Sequence, residues 1–158
     1  MDLATAHGLP PVGGRIRVAA EDFVVEEQLG FEPDGAGGHV LLSVEKRGAN
    51  TGWVAAQLAR AAGVAARDVG YSGQKDRHAL TRQSYSLPWP VSAPLDGCLA
   101  FAGEGYCVLS AARHGRKLRP GSHRGNRFAI RVRDTDGDAG AIDLRLRVIT
   151  EAGGPNYF

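Results

Sequence analysis

Residues 127–133 alternate strictly between cationic or small side chains and apolar ones. In an extended chain Phe128, Ile130 and Val132 point one way and Arg127, Ala129, Arg131 and Arg133 the other, because successive side chains of a strand leave opposite faces. A slip of one residue would exchange the two sets, so the pattern demands a strand of fixed register with one apolar and one cationic side. Shorter runs of the same kind lie upstream. Ile16 and Val18, then Phe23, Val24 and Val25, give two strand-like pieces separated by residues 19–22. Val40, Leu42 and Val44 alternate as a half-buried strand ending near Gly48, and Tyr106, Val108 and Ser110 as another. Residues 68–73 read as a short strand and tight turn, with Gln83 to Leu87 returning; residues 74–82 then form a loop held at both ends. The run Pro-Asp-Gly-Ala-Gly-Gly at 33–38 is too flexible for regular structure, and Pro88 and Pro90 break the chain again.

Two segments have helical spacing instead. Val54, Leu58, Ala61 and Ala62 share one face of a helix that Asn50 or Thr51 can cap and Gly63 can end in the left-handed conformation. Ile142, Leu146 and Ile149 recur at i, i+4, i+7 after Asp136 or Asp138, with Gly153 as the stop. The sum predicts an α+β fold, a mixed, mainly antiparallel sheet with flanking helices.

The chain has 158 residues, 43% hydrophobic and 23% charged, a globular composition. No apolar run approaches the roughly 20 residues of a membrane span, and residues 1–10 lack the basic start and apolar stretch of a signal peptide, so a cytoplasmic protein is expected. Cys98 and Cys107 make no disulfide framework and read as free thiols. Net charge is +2, but it is segregated: Lys and Arg number 9 against 12 Asp and Glu in residues 1–104, 8 against 0 in 105–133, and 2 against 5 in 134–158. The middle segment holds Arg113, Arg116, Lys117, Arg119, Arg124, Arg127, Arg131 and Arg133. Guanidinium groups grip phosphate with paired hydrogen bonds and stack on bases, so this segment points to nucleic acid, against the plainer reading of a solvated face.

Two clusters carry chemistry. Residues 73–83, Gly-Gln-Lys-Asp-Arg-His-Ala-Leu-Thr-Arg-Gln, place Asp76 between Lys75 and Arg77, whose charges favour its ionised form. Such a carboxylate serves as a nucleophile, an electrostatic stabiliser or a general base. An isolated Gly-x-Lys-Asp is more often a turn in which the Asp bonds backbone amides; Gly73, Thr81 and Gln83 are the company that weighs against it here. Residues 124–128, Arg-Gly-Asn-Arg-Phe, offer Asn126 for a base edge and Phe128 for a base face, although alternation sends Phe128 to the apolar side, and Phe23 faces the same choice between core and ligand. Phosphate-loop and dinucleotide fingerprints are missing, and the Cys and His spacings lack the tight pairs of a metal site.

Taken in order, Gly14-Arg15-Ile16-Arg17 with residues 21–27, Asn50-Thr51, residues 73–83, residues 124–128 and Gly154-Pro155-Asn156-Tyr157-Phe158 resemble the motifs of TruD-type tRNA pseudouridine synthases. The resemblance implies the pseudouridine synthase catalytic fold and isomerisation of a D-arm uridine, of the uridine-13 type, in a tRNA partner, without metal or organic cofactor. It implies Asp76 as the catalytic residue and Phe23, Asn126 and Phe128 as contacts to the target nucleotide. Arg17 is the expected basic partner of Asp76, and Lys75 is expected beside the substrate. Arg77, Arg116, Lys117, Arg124 and Arg127 are expected on RNA phosphates, in a monomer. It further implies that residues 1–158 are the N-terminal portion of the catalytic domain, without the inserted domain and the remaining catalytic half that family members carry. A non-catalytic RNA-binding fragment is the competing reading, and a small hydrolase using Asp76 and His78 a weaker one.

Overall fold

The computed structural model describes residues 6–154. Its framework is one seven-stranded sheet: β1 (Phe23–Gln28), β2 (His39–Arg47), β3 (Gly70–Tyr71), β4 (Leu80–Pro88), β5 (Ala102–Gly103), β6 (Tyr106–His114) and β7 (Gly125–Ile130). The order across the sheet is β5-β6-β2-β4-β1-β7, with β3 pairing to the far end of β4. Only β1 and β4 run parallel; every other pairing is antiparallel. Helices α1 (Thr51–Ala62) and α2 (Asp96–Leu99) join strands, and α3 (Ala139–Ala152) follows β7.

Register sorts the side chains. Val40, Leu42, Val44 and Lys46 of β2 stand opposite Leu87, Tyr85, Gln83 and Thr81 of β4, all on one face. Val25 pairs with Thr81 in β4 and with Phe128 in β7, which carries that face out to the sheet edge. Helix α1 covers it over β2 and β4: Val54 and Leu58 are fully buried with Val40, Leu42, Val44, Tyr85 and Leu87. Gly63 ends α1 with φ 67°, the left-handed conformation a residue with a Cβ rarely adopts. On the opposite face Arg82 bridges Glu45 at 2.9 Å and Glu26 at 3.0 Å, a polar surface held by charge.

Several sequence expectations change. The helix face of α1 is completed by buried Ala55 and Ala59, while Ala61 is exposed. Ile16 and Val18 form no strand; both are exposed, and residues 20–22 make a 3-10 turn directly before β1. Strand β4 starts at Leu80 rather than Gln83, so the last third of the expected loop is sheet. Strand β7 stops at Ile130, and its apolar row is open: Phe128 and Ile130 are 53% and 50% exposed, with no helix over them among the described residues. Helix α3 begins where Asp138 accepts from the Gly140 amide, yet Leu146 and Ile149 are exposed on it. Both cysteines are free thiols, and no helix among the described residues is long and apolar enough to cross a membrane.

Candidate active site

Residues 72–79 connect β3 to β4 and lie against the end of α1, held by polar groups from β2, α1 and β4. Asn50 occupies the N-cap position of α1 but makes no side-chain cap bond. Thr51 instead turns its hydroxyl outward, accepting from the Lys75 amide at 3.0 Å and donating to Gln83 Oε1 at 2.9 Å. Gln83 donates through Nε2 to the Gly73 carbonyl at 3.0 Å, and the buried Tyr85 hydroxyl lies 3.2 Å from both Gln83 Oε1 and the Thr51 carbonyl. The firmest hold is Lys46. Its side chain is 1% exposed, and Nζ donates to the carbonyls of Ala49 (2.9 Å), Lys75 (3.3 Å) and Asp76 (2.8 Å). Burial pushes this ammonium down to about 8, opposed by the Asp76 carboxylate. Sequence reasoning missed Lys46, although its period-2 spacing after Val40, Leu42 and Val44 places it on the buried face.

These clamps leave the Asp76 side chain half-exposed at the open end of the same face. Arg17 Nη2 stands 3.6 Å from Asp76 Oδ2, and the Arg17 guanidinium lies 4.0 Å above the centre of the Phe23 ring. Arg17 has φ 58°, a left-handed backbone that costs a residue with a Cβ about 1–2 kcal/mol. Phe23 meets Phe128 edge to face at 6.0 Å. Asn126 follows on the same face of β7, opposite Glu27 in register, and its side chain is exposed. Carboxylate, guanidinium, the half-exposed Phe128 ring and a carboxamide therefore line one open surface, with Phe23 buried beneath Arg17.

Lys75 turns away from it. Its ammonium pairs at 2.8 Å with Glu27, both side chains nearly or fully buried, while the other Glu27 oxygen accepts from the Ser84 amide at 3.0 Å. That amide lies in the stretch of β4 between its pairings with β1 and β3, so Glu27 fills a gap in the sheet and anchors the loop from below. The cation beside Asp76 is thus Arg17 rather than its sequence neighbour.

The carboxylate-free segment is also divided. Arg113 is half-buried and turned onto the chain itself, donating to the carbonyls of Trp89, Val91 and Ala93. Arg131 and Arg133 both approach Asp22, at 4.0 and 2.8 Å. Arg127 shares the far face of the sheet with Glu26, 3.9 Å away. Lys117 bonds the Arg67 carbonyl, Arg124 packs on Gly30 beside β1, and Arg116 is exposed. The single cationic stripe expected over residues 127–133 does not form. Asp22 itself is fully buried, accepting from the Ala19 amide at 2.9 Å, so it ties the approach to β1 to the chain beyond β7. The Arg133 hydrogen bond holds its carboxyl below the usual 3.8. A depressed folded value contributes stability above pH 3.8 that is lost as pH falls through the folded value. Asp22→Asn is accordingly expected to be less stable than the wild type at pH 7, with the difference shrinking below pH 3.8 in thermal melts across that range.

No group of three or more His, Cys, Asp and Glu is placed to hold a metal ion among the described residues, and residues 155–158 of the last sequence motif lie outside them. Among known proteins, the family model for tRNA pseudouridine synthase D (TruD) matches residues 4–158. The tRNA pseudouridine synthase D of Cellvibrio japonicus is 46% identical over 161 residues, covering 100% of this chain and 48% of that protein. Its counterpart from Methylococcus capsulatus is 48% identical over 157 residues, 99% of this chain and 44% of that protein. A crystal structure described as a tRNA pseudouridine synthase D from Methanosarcina mazei superposes with a TM-score of 0.78 at 25% identity, covering 92% of this chain and 34% of that one. The chain spans about half the length of the curated relatives it matches.

Proposed function

This chain belongs to the TruD family, and from that premise we propose that it supplies the nucleophilic half of a tRNA pseudouridine synthase acting on a D-arm uridine of the uridine-13 type. The observation that carries this reading is the Asp76 carboxylate 3.6 Å from Arg17, which in turn covers the Phe23 ring of the packed Phe23–Phe128 pair. A uracil extruded from its stack would lie against the half-exposed Phe128 ring, and Asn126 offers both a donor and an acceptor to its edge. Asp76 bonds covalently to the bound nucleotide; the C1′–N1 bond breaks, the base turns, a C1′–C5 bond forms, the bond to Asp76 breaks and returns the free carboxylate, the C5 proton leaves and N1 ends protonated. Atoms balance without oxidant or reductant, as an isomerisation requires.

Arg17 has two tasks in this scheme: it neutralises the carboxylate and, stacked on the buried Phe23, holds its guanidinium at the surface beside Asp76. Arg77, Arg116, Lys117, Arg124 and Arg127 are assigned to flanking phosphates, with the first nearest Asp76 and the last on the other face, so a contacting RNA would wrap the β7 edge. Residues 1–158 would form the N-terminal portion of a catalytic domain in a monomeric, cytoplasmic enzyme. The test is direct: unmodified tRNA transcript is incubated with the protein that carries this chain, and pseudouridine is mapped by position. Product at a D-arm uridine is expected; tRNA that is bound but never isomerised would support the non-catalytic reading instead.

A further inference from the structure

Beside Arg77 lies an open pocket of about 700 Å³, of which the scheme above uses no wall but Arg77. Its walls are the turn after β2 (Arg47, Gly48 and Asn50), the indole of Trp53 on the first turn of α1, Arg77, and Glu104 from the β5–β6 turn. Trp53 packs one edge against Tyr106, with ring centres 6.0 Å apart, yet remains 43% exposed. The two guanidinium groups differ: Arg47 is occupied by Glu21 at 2.6 Å, whereas Arg77 donates only Nε, to the Gly48 carbonyl at 3.2 Å. Its Nη groups have no partner among the described residues.

We propose that this pocket takes the nucleotide next to the target uridine, its base stacked on Trp53 and the intervening phosphate held by Arg77. The inference rests on the reading of Asp76 given above and deepens it. Extruding one base removes a stacking partner from its neighbour, a cost that an aromatic platform sharing a pocket with Arg77, the residue after the nucleophile, offsets. An indole accepts any base face, so the pocket stabilises the flipped state without demanding a particular neighbour. The free guanidinium beside it selects a ring carried on a phosphodiester over an uncharged aromatic molecule.

The test combines protein and substrate changes in a cycle. Affinity is measured for tRNA transcripts carrying either an ordinary nucleotide or an abasic one, placed on the 5′ or the 3′ side of the isomerised uridine. Trp53→Ala is expected to weaken binding of ordinary transcript roughly tenfold, and Trp53→Phe to restore most of it. On the transcript abasic at the stacked neighbour the Trp53→Ala penalty should vanish, which also shows which side the pocket serves. An equal penalty on ordinary and both abasic transcripts would mean that Trp53 only buttresses Tyr106, and would overturn the subsite. If Trp53→Ala binds like the wild type while Asp76→Asn binds without isomerising, the subsite falls and the reading of Asp76 stands. If the wild-type protein neither binds nor isomerises tRNA, both fall.

Discussion

Asp76→Asn, made in the protein that carries this chain, is expected to lower pseudouridine formation by at least roughly 10³-fold while leaving tRNA affinity nearly unchanged. The asymmetry follows from how the residue is held. Its backbone carbonyl is fixed by Lys46 and the preceding amide by Thr51, neither of which touches the carboxyl group. The side chain's one ion pair, with Arg17, joins two partly exposed groups and contributes at most about 1 kcal/mol. The variant should therefore fold, bind and fail only at the covalent step. Single-turnover assays on one labelled tRNA, with a filter-binding titration beside them, separate the two quantities. Residual product within about tenfold of the wild type would remove the nucleophile assignment.

Lys46→Met is expected to produce the second largest loss, by a different route. Methionine keeps the length of the side chain but leaves the carbonyls of Ala49, Lys75 and Asp76 without their shared donor, and a buried group left unsatisfied costs about 1–3 kcal/mol. The loop then relaxes. Displacing a reacting group by about 1 Å lowers the rate on the order of 10²-fold, so kcat should fall by that amount with KM moving little. A purely structural role would lower the unfolding midpoint without this split. The pH dependence adds a further signature. Burial moves the ammonium from its ordinary 10.5 to about 8, so between those values the unfolded chain binds more protons than the folded one. Stability due to Lys46 therefore rises with pH through that window, and the wild-type curve should gain on that of Lys46→Met from pH 8 to 10.5.

The contrast between Asp76 and Lys46 shows what a sequence reading reaches. Asp76 announces itself because a carboxylate between two cations on a glycine-led loop is chemically conspicuous. Lys46 does not, since Val-Glu-Lys-Arg at a strand end reads as a solvated terminus; only its register with Val44 reveals the buried face. Strands β2 and β6, helix α1 and its Gly63 stop were legible because local periodicity and turn chemistry decide them. The start of β4 was not, because Thr81 and Gln83 carry hydrogen-bonding groups that fit a loop equally well, and strand pairing settles the matter. The four residues of α2 are too few to show a period. Charge counting found the basic segment, but it could not foresee that Arg113 would bind carbonyls or that Arg131 and Arg133 would converge on Asp22 from more than a hundred residues away. Alternation gave Phe128 its face correctly and left open what stands over it.

Strand β7 is the outermost strand of its side of the sheet, and its free edge pairs with no other strand among the described residues. A row of available amides and carbonyls beside half-exposed Phe128 and Ile130 is a template on which a second molecule could add a strand. Arg127 and Arg131 flank these residues, so two copies approaching edge to edge bring guanidinium groups toward one another before the backbones can meet. The cations on the face opposite that apolar row thus act as gatekeepers, discouraging the edge from pairing with its own copy.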